Sequence, residues 1–179
     1  MSKSNILVVY YSRSGTTREV AEALASALGC DIEEITDVRD RSGRIGYLRS
    51  LIAALRQRPS VIAPTTKDPS GYQLVIIGTP VWAGSVSSPV RAYLLKYASR
   101  LRSAAFFCTL GGRGAESTFA QMEKLIGQAP HACLSITAYE VAAHTFGPRV
   151  NELARTLRNG IPPVELPPTA EKATGTALR

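Results

Sequence analysis

Residues 12–17 read SRSGTT, four hydroxyl side chains, an arginine and a glycine in six positions, directly after the apolar run ILVVYY. Hydroxyls at this density suit an oxyanion, and a helix starting here would add unpaired N–H groups and partial positive charge. Ser12, Ser14, Thr16 and Thr17 supply the hydroxyls, and Gly15 lets the backbone wrap closely. Arg13 either adds a bidentate contact or points to water. An ordinary turn with a capping threonine has the same composition, so this loop alone leaves both readings open. It lacks the lysine of G-x-x-x-x-G-K-[ST] and is not G-x-G-x-x-G, which argues against a simple nucleotide hydrolase.

Two more loops of unusual composition follow apolar runs. GTPVWAGSVSSP (78–89) holds Thr79, Pro80, Val81, Trp82, Ala83 and Gly84, with Trp82 the only tryptophan of the chain. So glycine- and serine-rich a loop offers a core tryptophan little support; a planar ligand ring would give it a stacking partner, and plain packing is the alternative. TLGGRGAES (109–117) holds Thr109, Leu110, Gly111, Gly112 and Gly114, whose small size lets backbone N–H groups approach a polar ring edge.

The elements that must position these loops are legible from periodicity. NILVVYY (5–11), QLVIIG (73–78), SAAFFCTL (103–110) and ACLSI (132–136) are continuous apolar runs of the kind buried on both faces of a sheet. DIEEI (31–35) alternates, as an edge strand would. A helix is predicted from Thr17, with Val20, Ala23, Leu24, Ala27 and Leu28 on one face, a T-x-x-E capping box at Thr16 and Glu19, and a stop at Gly29. Ile45, Leu48, Leu51, Ile52 and Leu55 predict a second, arginine-backed helix, followed by a proline-rich loop over 58–72. Ser88 as N-cap and Pro89 open a third, with Val90, Leu94, Tyr97, Ala98 and Leu101 inward. Phe119, Met122 and Ile126 mark a fourth; Val150, Leu153, Ala154 and Leu157, stopped by Gly160, mark the last.

Five strands alternating with five helices predict an α/β fold, a doubly wound five-stranded parallel sheet over residues 1–160, with a Pro-rich C-terminal tail at 161–179. Ligands of such sheets sit beyond the carboxyl ends of the strands, where the strand order reverses. All three unusual loops fall at that edge.

Composition narrows the function classes. A chain of 179 residues that is 45% hydrophobic suits one domain with a proper core. No apolar run approaches the roughly 18 residues of a membrane span, and the N-terminal apolar stretch is short for a signal peptide, so a soluble, cytoplasmic protein without a membrane partner is expected. Cys30, Cys108 and Cys133 lack metal or redox spacing and read as buried, reduced side chains; His131 and His144 are isolated, so no metal is expected. The net charge of +7 is uneven, since residues 39–58 carry six arginines against one aspartate. Nucleic-acid motifs are missing, so an acidic partner or ligand suits this patch better than nucleic acid, with a solvated helix face as the plainer account.

S-R-S-G-T-T is similar to the flavodoxin phosphate loop, [ST]-x-[ST]-G-x-T, and GTPVWAG, FFCTLGG and SSPVRAYL resemble the matching segments of small bacterial flavodoxin-like proteins. The resemblance spans about residues 4–158. It implies strand order 2-1-3-4-5, FMN as cofactor with its phosphate on Ser12 to Thr17, and the flavin ring between Pro80–Gly84 and Leu110–Gly114. Electron transfer or NAD(P)H-dependent reduction of a quinone-like acceptor would follow, with NAD(P)H or a redox partner protein as donor; a flavin or redox sensor is a third form. The chain is basic where flavodoxin carriers are usually acidic. Phosphosugar-binding modules of the sugar-isomerase type also use S-x-S-G-x-T, but after an earlier strand and helix, for which a motif starting at residue 12 leaves no room. No catalytic acid stands out: Tyr47, Tyr139, Glu140 and His144 are available, and each also suits a structural role.

Overall fold

The continuous apolar runs become strands whose alternate side chains enter two separate cores. In the computed structural model, which describes residues 5–38 and 59–160, Leu7 and Val9 of β1 (Ile6–Tyr10) join one apolar cluster, and Val8 and Tyr10 join the other. The same division holds in β3 (Leu74–Trp82), where Val75 and Ile77 face one way and Leu74 and Ile76 the other. A strand buried on both sides cannot alternate polar and apolar residues, which is why the sequence shows unbroken runs.

Helices cover both faces. The cluster of Val8 and Tyr10 is closed by α1 (Thr16–Leu28) and, after the last strand, by α5 (Gly147–Gly160), through Val20, Leu24, Val150, Leu153 and Leu157. The other cluster is closed by α2 (Ser88–Tyr97) and α3 (Ala115–Ile126), through Val90, Tyr93, Leu94, Met122 and Ile126. With β2 (Asp31–Glu34), β5 (Ala104–Leu110) and β6 (Cys133–Thr137), the sheet runs β2-β1-β3-β5-β6, all parallel. The five long strands thus take the expected order. A sixth, β4 (Ser85–Val86), pairs antiparallel with the end of β3 and shifts the later numbers by one. The chain leaves β1 for β2 on one side and returns to β3 on the other, so the order reverses between β1 and β3.

Several boundaries differ from expectation. β3 does not stop at Gly78; it continues through Trp82 and folds back on β4, with Ala83 (φ 49°) and Gly84 (φ 71°) as the two turn residues. Two successive residues of positive φ match the twist of a tight hairpin. The cap of α1 is Gly15, in the left-handed region at φ 96°, so the capping box expected at Thr16 and Glu19 does not form. Ser87 rather than Ser88 precedes α2, and its hydroxyl lies 3.0 Å from Thr79 Oγ1 instead of capping. A short helix, α4 (Ala138–Ala142), follows β6. Cys108 is buried as expected and Cys30 partly so, whereas Cys133 is exposed because it opens the sheet's outermost strand. The arginine-rich stretch 39–58 and the tail 161–179 lie outside the described residues. Among the described residues, no helix is long and apolar enough to cross a membrane, and no group of three metal-ligating side chains occurs.

The sheet leaves no room for a side chain at Gly78, which sits opposite Phe107 of β5; a Cβ there would overlap the phenyl ring. Gly78→Ala is expected to destabilise the protein by about 3 kcal/mol, the upper range of core overpacking, read as a lowered midpoint in urea unfolding.

Candidate functional site

The parallel register brings the loops together. Tyr10 lies level with Gly78, Pro80 with Thr109, and Leu110 with Thr137, so the segments that follow β1, β3, β5 and β6 leave the sheet at one edge. Between them lies a cleft of about 190 Å³. Arg13, Ser14, Thr16 and Thr17 form one end, and Pro80, Val81, Trp82, Leu110, Gly111 and Ala138 the other, with Thr109 at the junction.

The polar end is built by α1. Ser12 Oγ accepts from the Gly15 N–H at 3.1 Å, which curls the loop so that Gly15 can take its left-handed turn. Glycine has no side chain to cap with, and among the described residues none takes the N–H groups of Thr16, Thr17 or Arg18. The first turn of the helix therefore keeps its free donors and its partial positive charge. The Ser14 and Thr16 hydroxyls lie 3.3 Å apart in the cleft. Thr17 Oγ1 lies 2.7 Å from Thr109 Oγ1, a buried bond that ties the loop to the end of β5. Arg18 is turned away, donating to both oxygens of Glu34 at 2.8 Å. Among the described residues, Arg13 is thus the charged side chain of the cleft lining, which includes no carboxylate.

The apolar end is carried by the ends of β3 and β5. Trp82 is better supported than its loop composition implies: it is 7% exposed, packs edge-on to Tyr11 with ring centroids 5.7 Å apart, and joins the core of Val86 and Val90 while still lining the cleft. Thr79 and the pair Gly84 and Gly114 stand behind the lining. Thr79 is fully buried and accepts from the Ser87 N–H at 3.1 Å. A Cβ on Gly114 would lie 2.7 Å from Gly84 Cα, so the second and third loops touch glycine to glycine. Ala83 and Gly112 are exposed and do not line the cleft, and neither does Ser12 or Gly15, whose part is to shape the first loop. Ala138 was not among the sequence candidates. Its signal was available, since it follows the fourth buried strand at the same sheet edge.

Of the candidate acids, Tyr139, Glu140 and His144 do not line the cleft. Glu140 forms a capping box with Thr137, accepting from its N–H and Oγ1 at 2.7 Å, and takes Arg149 Nη1 at 2.8 Å. The Thr137 N–H and hydroxyl, then Arg149, hold its carboxyl down at about 2, so it stays ionised and tied to its own helix. Tyr139 is 80% exposed, His144 lies two residues past α4, exposed and with φ 54°, and Tyr47 lies outside the described residues.

A family model described as Flavodoxin matches residues 5–137, which includes all the segments that build this cleft except Ala138. The chain belongs to the flavodoxin family. Flavodoxin-like architecture recurs in a flavoprotein in complex with FMN from Lactobacillus acidophilus, 22% identical, with a TM-score of 0.66 over 78% of this chain and 97% of that one. An oxidised flavodoxin 1 from Bacillus cereus is 14% identical, with a TM-score of 0.55 over 89% and 100%. A WrbA-like flavodoxin from Agrobacterium tumefaciens is 17% identical, with a TM-score of 0.50 over 86% and 98%. No functionally curated protein matches the chain in sequence.

This flavodoxin-family chain holds α4 in place through Glu140. The folded carboxyl titrates below the ordinary 4.5, so its contribution is full above that value and is lost as pH falls through about 2. Glu140→Ala is expected to cost about 1 kcal/mol at pH 7, a typical capping loss. The gap to the native protein should close in unfolding curves taken near pH 2.

Proposed function

We propose that the protein binds FMN in this cleft and serves electron transfer or NAD(P)H-dependent reduction of a quinone-like acceptor. The observation that carries the reading is the uncapped N-terminus of α1, opening into a cleft whose other lining residues, from Pro80 to Trp82 and Leu110 to Gly111, are largely apolar. A ligand with a terminal phosphate and a planar ring matches both ends. The N–H groups of Thr16 and Thr17, with the Ser14 and Thr16 hydroxyls and Arg13, would hold the phosphate. Pro80 to Trp82 and Leu110 to Gly111 would flank the ring. Among the described residues the lining includes no carboxylate that would repel an anion there.

Bound FMN would supply one-electron and hydride chemistry, with orientation and electrostatics left to the protein. The cleft lining suits that division, since Arg13 is its only ionisable side chain among the described residues and no acid or base is placed to move a proton. The chain's own part is to grip, orient and exclude water. Support for a redox role comes from family membership and from the lactobacillar neighbour seen in complex with FMN.

The test is a titration of the purified protein with FMN and with riboflavin. FMN is expected to bind at least tenfold more tightly, because riboflavin has no phosphate for the α1 terminus; equal affinities would sink the reading. Gly15→Val should remove most of that preference, since a β-branched residue is strained at φ 96°. An anaerobic spectrum before and after NADPH then separates the two roles. Fast bleaching identifies a reductase, and bleaching only with a reduced partner protein identifies a carrier.

A further inference from the structure

Arg91 on α2 is buried, 5% exposed, yet no carboxylate pairs with it among the described residues. Its Nη2 donates to the neutral amide oxygen of Gln121 at 2.7 Å, and its Nε is buried without a hydrogen-bond partner. A buried cation with no counter-ion is costly, and an aliphatic side chain would join α2 to α3 at less expense. The charge does something an aliphatic chain cannot do: it fixes which way round the Gln121 amide sits. With its oxygen held by Arg91, the amide nitrogen faces the β3–β4 hairpin, 3.3 Å from the Gly84 carbonyl and 3.4 Å from Ser85 Oγ. Ser117, one turn earlier on α3, donates to the same carbonyl at 2.6 Å. The carbonyl of the hairpin tip is thereby turned toward α3, two residues beyond Trp82.

We propose that Arg91 is a positioning residue for the flavin cleft, acting through Gln121 to pin the hairpin that carries Pro80, Val81 and Trp82. The proposal deepens the FMN reading and rests on it for its effect on the cofactor. Arg91 is not among the lining residues of the cleft; its influence passes through Gln121 of α3 to Gly84 and so to the wall. A charge kept for helix packing alone would leave the cleft indifferent to how the amide is turned.

Gln121→Glu separates the two roles. It keeps the side chain's shape and gives Arg91 an ion pair, but it leaves no N–H for Gly84. Thermal unfolding of this variant should occur at or above the native temperature. In the flavin-free protein, acrylamide quenching of Trp82, the only tryptophan, should at least double, and FMN affinity should fall at least fivefold. Arg91→Met, which keeps volume and frees the amide to turn, should move both readouts in the same direction, and Arg91→Lys should restore part of each. Quenching and FMN affinity within twofold of native in Gln121→Glu and Arg91→Met would overturn the proposal. If the native protein takes up no FMN, the cofactor reading fails by itself, and quenching of the flavin-free chain still decides the role of Arg91.

Discussion

Two-sided burial of the central strands is the constraint from which the rest follows. Because β1, β3 and β5 are covered by helices on both faces, each must enter the sheet at one edge and leave at the other. Every connection that carries chemistry therefore leaves at the same edge, and the parallel register fixes how far each reaches. Pro80 level with Thr109, and Leu110 level with Thr137, is a statement about hydrogen-bonded strands, yet it also sets the width of the cleft. The buried bond between Thr17 and Thr109 closes this arrangement by joining the first loop to the third strand of the site.

Within that frame the two ends of the cleft are made by different means. The polar end is an omission: a glycine where a capping side chain would stand, leaving the helix donors open. The apolar end is a construction, a hairpin braced from behind by Ser117, Gln121 and Thr79, so that flat side chains can be offered to a ligand without collapsing onto the loop opposite. A phosphate tolerates an adaptable set of donors, whereas a ring needs a rigid slot. The distribution of hydrogen bonds follows that difference.

How far the sequence reveals this depends on whether the deciding contact is local. Continuous runs such as LVVYY and LVIIG announce two-sided burial directly, and Gly29 announces a helix end, because period and backbone preference are properties of short segments. The end of β3 is harder, since Thr79-Pro80-Val81-Trp82 reads as a loop by composition, and only pairing with β4 shows it to be strand. The support of Trp82 is missed for the same reason: the ring it packs against, Tyr11, is remote in sequence. Thr16 and Glu19 satisfy the capping-box pattern, but Gly15 takes the cap, and no local rule says that the threonine hydroxyl will face the cleft. The hydroxyl and glycine loops are legible as a candidate site, while the residues behind them, Arg91 and Gln121 above all, carry no signal that distinguishes them from surface polar residues.

The contact between Gly84 and Gly114 decides where this protein can diversify. The third loop cannot acquire a side chain at Gly114 without pushing the second away, and Gly84, at φ 71°, holds a backbone turn that L side chains rarely adopt, so the two must be inherited or grafted as one piece. Tuning toward a different ring or acceptor has to come from positions whose size can change independently, and the lining offers Val81, Leu110 and Ala138. A library built to alter selectivity belongs at those three residues, with the glycine seam left untouched as the joint that keeps any new pocket closed.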